Sequence, residues 1–222
     1  MPSDVLVVYK KNFEEVHDKA LAAVRDALDE LVRDRGTSIS YKARETVNRE
    51  DFVGRDLVII LGGDGTLTSI AHSIDSDTPV MGVNSHPQDD DEDGSYGFYM
   101  GSDTKHFAED VRSALDGTGI VNVLPRLQAE IVTTSGKTVL SDPALNDLII
   151  ANTHQYQPSI YKLERGADGG HGNIDTVQRS SGCLFSTFLG QGAWFRHVVN
   201  IEGATFPMDE VNERYLFASR DL

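Results

Sequence analysis

The sequence predicts an α/β fold, with an N-terminal α/β domain built on a parallel sheet and a C-terminal β-rich domain. Three observations carry this. Residues 1 to about 118 alternate short apolar runs with helical periodicity, the pattern of strands joined by crossover helices. One run, Asp56-Leu57-Val58-Ile59-Ile60-Leu61, is apolar without alternation after its first residue, as a strand covered on both faces must be. Beyond Gly117-Thr118-Gly119 the period shifts to two, which makes 119–222 a domain of half-buried strands.

Taken in order, Val5–Tyr9 is β-rich, and Glu14 to about Arg35 repeats Val16, Ala20, Ala23, Val24, Ala27, Leu28 and Leu31 at three- and four-residue spacing. A strand and an amphipathic helix follow, with Gly36 as the stop. Ile39–Ala43 and Pro79–Asn84 read as further strands, Leu67–Ser73 and Thr104–Leu115 as helices. In the second half, strands are expected at Leu127–Thr134, Thr138–Leu140, Leu145–Ala151, Ile160–Glu164 and Gly182–Phe188. The run Asp89-Asp90-Asp91-Glu92-Asp93 repels itself and is expected to be a solvated loop.

Acidic residues number 35 against 20 basic ones, a formal net charge of -15, so the average field repels nucleic acid and anionic membranes. Asp outnumbers Glu about two to one and Lys is scarcer than Arg, which suggests an acidic, halophilic surface adapted to high salt. The single Cys183 permits no internal disulfide. No run approaches the length of a membrane span and the first ten residues lack a secretory pattern, so a cytoplasmic location is expected. The seven histidines show no zinc-site spacing, and no metal-ligating set is expected.

The strongest chemical signal is Gly62-Gly63-Asp64-Gly65-Thr66 between a buried strand and a helix. Glycines let backbone N–H groups approach an anion closely, the following helix offers its N-terminus, and Thr66 is placed to cap it. Gly62, Gly63, Gly65 and Thr66 are therefore candidate phosphate-binding residues. A carboxylate beside a phosphate needs a task, either general base toward a hydroxyl or Mg2+ holder, and Asp64 is the candidate. The blander reading is an Asp-Gly turn. Neither a Walker A loop nor the dinucleotide fingerprint is present.

This pentapeptide resembles the first motif of the NAD kinases, shared with diacylglycerol-type lipid kinases. Val80-Met81-Gly82-Val83-Asn84 is similar to the strand that follows it in NAD kinases, and Gly97-Phe98-Tyr99 to a stretch that sets an aromatic residue against NAD. Ala144-Leu145-Asn146-Asp147 resembles the family's Asn-Glu motif, with Asp in place of Glu. The segment from Ser180-Ser181-Gly182 to Ala193-Trp194 resembles the third motif in its mitochondrial-type branch, as does Asn84-Ser85-His86-Pro87. The likeness spans about Leu57 to Trp194, with the motifs in the family's order.

The resemblance implies transfer of a phosphoryl group from ATP, or another donor with Mg2+, to the 2′-hydroxyl of the adenosine ribose of NAD, giving NADP. It implies Asp64 as base, the Gly62–Thr66 loop on the donor phosphates, and Asn84, Phe98, Tyr99, Asn146, Asp147, Ser181, Ala193 and Trp194 around NAD. It also implies a crevice between the domains as the site, and self-association as a dimer or tetramer. Leu189, Gln191 and Gly192 stand where the family usually has small hydroxyl residues, and the chain stops soon after Arg220, so the resemblance implies a short, divergent member. The alternatives are a catalytically silent NAD(P)-binding or sensing module and, less favoured, a lipid kinase.

Overall fold

The structure is a computed structural model of the 222-residue chain and describes residues 3–11, 15–89, 92–154, 156–164, 174–199 and 215–220. Glu14, ahead of the first helix, and Asp90 and Asp91 of the acidic run lie outside the described residues. Contacts divide the chain into two units, Met1–Asn122 and Val123–Leu222.

The first unit runs β1 (Asp4–Tyr9), α1 (Glu15–Arg35), β2 (Ser38–Ala43), β3 (Leu57–Gly62), α2 (Asp64–Ile70), β4 (Val80–Asn84), β5 (Ser102–Asp103) and α3 (Phe107–Leu115), with short 3-10 turns between. Its five strands form one parallel sheet in the order β2-β1-β3-β4-β5. All six residues of β3 are buried. Side chains alternate across the sheet, and Val5, Val7, Leu57, Ile59, Leu61 and Val83 form one core with Ala20, Val24, Leu28 and Leu31 of α1 and Phe107 and Val111 of α3. Leu6, Val8, Val58 and Ile60 are wholly buried as well, as the unbroken apolar runs require.

Chain order reverses at β1, whose neighbours β2 and β3 lie on opposite sides. In open parallel sheets, ligands bind beyond the carboxyl ends of the strands at such a switch point. Here those ends lead into Lys10, the Gly62–Thr66 loop and Ser85.

In the second unit, β6 (Glu130–Val132) and β7 (Thr138–Leu140) form a hairpin, and β9 (Ser159–Leu163) pairs antiparallel with β10 (Ile174–Ser180). A third sheet orders β12 (Leu216–Arg220), β11 (Gly182–Ser186) and β8 (Asp147–Ile150), all antiparallel. Helix α4 (Trp194–Val199) packs on it through Phe195, which joins Leu184 and Ala218 in a small core.

Candidate functional site

In the first unit, the carboxyl ends of β1, β3 and β4 open on a cavity of about 310 Å³ lined by Lys10, His17, Arg44, Gly63, Gly65, Thr66, Asn84, Ser85, His86 and Asp93 to Ser95. The glycines have steric reasons. A Cβ on Gly63 would lie 2.5 Å from the Ser95 hydroxyl, and one on Gly62 would strike Thr66. Thr66 is 3 % exposed and occupies the first turn of α2, whose N-cap is Gly63. The expected capping role of Thr66 is thereby corrected: the helix starts at Asp64, three residues before the expected Leu67, and Thr66 lies inside it, packed under Gly62.

Asp64 is the first helical residue of α2, and both of its carboxylate oxygens accept backbone hydrogen bonds. Tyr99 N–H donates to Oδ1 at 2.8 Å and Phe98 N–H to Oδ2 at 3.0 Å. Each oxygen keeps a second lone pair, so the carboxylate can still accept a proton while it ties down the aromatic turn. Gly97 turns with φ of +73°, its Cα face against the Asn84 amide. Asn84 completes the frame, donating from Nδ2 to the Ser95 carbonyl at 3.1 Å and accepting from His86 N–H at 3.2 Å. Phe98 is 57 % exposed and meets Tyr99 edge to face, centroids 5.0 Å apart. Thus Asp64, Asn84, Phe98 and Tyr99, separated in sequence, are brought together.

Five lining residues were not singled out in the sequence: Lys10, His17, Arg44, Gly94 and Ser95. Lys10 directly follows β1, which was its available signal. His17 had no signal, because its partner Ser85 is 68 residues away.

Within the second unit, Asn146 and Asp147 sit at the start of β8, opposite the end of β11, with Asp147 in register with Ser186. Thr187 N–H donates to the Asn146 carbonyl at 2.8 Å, the Thr187 hydroxyl to the Leu145 carbonyl at 2.7 Å, and Ser186 Oγ to the Asn146 carbonyl at 3.3 Å. Gly190 is buried against the same carbonyl. The Asn146-Asp147 pair and the third-motif segment are therefore one hydrogen-bonded assembly, with Ser186, Thr187 and Gly190 bracing Asn146. Ser181 lies between β10 and β11, Ala193 follows the 3-10 turn Leu189–Gly192, and Trp194 is 42 % exposed while its neighbour Phe195 enters the core.

Among the described residues, the buried Asp147 Oδ1 has no hydrogen-bond partner. Burial pushes the carboxyl above its usual range, partly offset by the Ser186 hydroxyl. A carboxyl raised in the folded state favours folding at low pH, and that contribution is lost as pH rises through the folded value. Asp147→Asn is therefore expected to be more stable than the parent at pH 7, by up to about 1 kcal/mol. The gap should close below about pH 4, where the parent carboxyl is neutral in both states. Urea unfolding from pH 3 to 8 checks this, and equal curves for both proteins would refute it.

Among the described residues no three side chains of metal-ligating type converge. A Mg2+ ion at the described residues would be held mainly by oxygens of a bound phosphate chain and by water.

Residues 6–114 match the family model of the ATP-NAD kinase N-terminal domain. A probable NADH kinase of Oryza sativa subsp. japonica is 29 % identical over 148 residues, covering 62 % of this chain and 44 % of the relative. An NAD kinase of Citrifermentans bemidjiense is 31 % identical over 151 residues, covering 62 % and 49 %. The crystal structure of an NAD kinase from Archaeoglobus fulgidus in complex with ATP superposes with a TM-score of 0.61 at 18 % identity, covering 88 % of this chain and 65 % of that one. This chain spans about half the length of the curated relatives it matches. No described helix is long and apolar enough to cross a membrane. The family match runs from β1 through α3, the sheet whose strand ends carry the cavity and the glycine loop, so the first unit carries an ATP-NAD kinase N-terminal domain.

Proposed function

We propose that the chain is an NAD kinase, transferring the terminal phosphoryl group of ATP or a comparable donor to the 2′-hydroxyl of the adenosine ribose of NAD. The observation that carries this reading is the cavity at the carboxyl ends of β1, β3 and β4, where the Gly62–Thr66 loop lies beside Lys10 and Arg44. Those cations and the loop's backbone suit a chain of phosphates, and the chemistry asks chiefly for positioning and charge neutralisation.

Gly62, Gly63, Gly65 and Thr66 bind the donor phosphates, whose oxygens would hold the Mg2+ that offsets their charge. Asp64 accepts the proton of the attacking hydroxyl as its oxygen bonds to phosphorus and the donor's bridging bond breaks. In the first unit, Asn84 frames the turn that presents Phe98 and Tyr99 to NAD. In the second, the β-rich NAD-binding domain, Asn146, Asp147, Ser181, Ala193 and Trp194 contribute to NAD recognition. The protein works in the cytoplasm as a homo-oligomer. Its net charge of -15 supports adaptation to high salt, because screening relieves self-repulsion. A higher unfolding midpoint in molar KCl than in dilute buffer is expected, and an unchanged or lower midpoint would count against that adaptation.

A second reading, a silent dinucleotide-binding module, is favoured by Leu189, Gln191 and Gly192 in the third motif. Offering NAD, NADH and diacylglycerol separately as acceptors with γ-labelled ATP separates the readings. Label on a dinucleotide supports the kinase. Label on lipid alone supports a lipid kinase, and no label with NAD bound in calorimetry supports the silent module.

A further inference from the structure

The geometry points to His17 as a positioning residue that aims the Lys10 ammonium into the phosphate cavity, where it grips a triphosphate or longer polyphosphate chain. This deepens the kinase reading and rests on it for the identity of the donor.

Lys10 leaves β1 with its backbone pinned, its N–H donating to the Leu61 carbonyl at 3.1 Å. Its side chain is not pinned by β1, and a four-carbon stem keeps many rotamers. His17, in the first turn of α1, supplies the missing restraint. It is 8 % exposed, with Nδ1 at 2.7 Å from Ser85 Oγ and Nε2 at 3.4 Å from Lys10 Nζ.

A lysine ammonium has only protons to give. Nε2 is therefore the acceptor, Nδ1 carries the ring proton and donates to Ser85, and the imidazole between them is neutral. Ser85 is held in turn, its N–H donating to the Gly62 carbonyl at 3.0 Å. One continuous path thus runs from Gly62, at the head of the phosphate loop, through Ser85 and His17 to Lys10. The ammonium spends one proton on His17 and keeps others for a ligand. Arg44, whose guanidinium is paired with Glu45 at 3.0 Å, lines the same cavity with His86 and Asp93, so Lys10 brings its charge to a lining that also holds the Asp93 carboxylate.

Two substitutions divide the two contacts of the ring. In His17→Asn the amide reaches only the position of Nδ1, so it can serve Ser85 but not Lys10. In His17→Gln the longer amide reaches the position of Nε2, and its carbonyl can accept from Lys10. The probe is inorganic tripolyphosphate, titrated calorimetrically into the full chain. Wild type is expected to bind it, His17→Asn and Lys10→Met to bind about tenfold more weakly, and His17→Gln to remain within about threefold of wild type. In turnover, His17→Asn should raise the KM for the donor about tenfold and change kcat less than about threefold.

No binding by wild type, unchanged affinity in His17→Asn, or equal losses in His17→Asn and His17→Gln would each overturn the proposal. If His17→Asn does not fold, Lys10→Met against wild type carries the test, and unchanged affinity there overturns it. Wild-type tripolyphosphate binding with this variant pattern but without any NADP formation would sustain the role of His17 and overturn the kinase reading instead.

Discussion

Asp64→Asn is expected to lower NADP formation by about 10²- to 10⁴-fold, the usual loss on removing a general base, while the affinity for NAD falls by less than about tenfold. The split matters because Asp64 has two tasks in this structure. Its oxygens hold the N–H groups of Phe98 and Tyr99, and an asparagine keeps one acceptor but turns its NH2 toward the other donor. Losing that hydrogen bond costs about 1 kcal/mol, which loosens the aromatic turn and accounts for less than about tenfold in binding. Loss of the base has no such ceiling. Measuring kcat and the NAD dissociation constant on the same preparation separates the two tasks. A turnover loss no larger than the binding loss would make Asp64 a structural clasp and remove it from the chemistry.

Gly190→Ala is expected to destabilise the second unit by about 2–3 kcal/mol and to weaken NAD binding with it. The added methyl would stand 2.5 Å from the Asn146 carbonyl oxygen, 2.8 Å from its carbon and 2.5 Å from Ser186 Oγ. Rotation can move the hydroxyl but not a carbonyl held by Thr187 N–H and flanked by β8. Either the 3-10 turn or Asn146 must shift, and a shifted Asn146 carries Asp147 with it. Gly192→Ala is the control, since a methyl there meets no atom of the described residues within 4 Å, and it should stay within about 0.5 kcal/mol of the parent. Denaturant unfolding of the three proteins decides the matter; equal stability of Gly190→Ala and Gly192→Ala would contradict this account of the third motif.

Legibility in the sequence followed the range of the forces involved. Helix α1 was readable because seven apolar residues recur on one face and Gly36 ends them, and β3 because an unbroken apolar run has few alternatives. The two residues of β5 carry no period. Strand β10, Ile174-Asp175-Thr176-Val177-Gln178-Arg179-Ser180, was not anticipated because its run is mostly polar and charged. Helix α4 was also missed, since Trp194-Phe195-Arg196-His197-Val198-Val199 is too short for a helical period to emerge from its aromatic and β-branched residues. The early start of α2 at Asp64 was hidden by two glycines that look like a turn.

At the candidate site the division is similar. The glycine loop announces itself by composition, and Asn84, Phe98 and Tyr99 were found through resemblance. Their joint attachment to Asp64 and Ser95 depends on hydrogen bonds spanning 11 to 35 residues, which no local pattern encodes. His17 is the clearest case, a histidine on a helix face that the sequence offers as an ordinary core or surface residue. Its meaning comes only from Ser85 and Lys10 arriving on either side of the ring.

The most direct test of the central claim is NADP formation from NAD, ATP and Mg2+ by the purified chain, in dilute and in molar KCl, with Asp64→Asn beside it. The account predicts NADP accumulating with time in the parent and falling by at least about a hundredfold in the variant. Saturable NAD binding by the parent without NADP in either salt would contradict it.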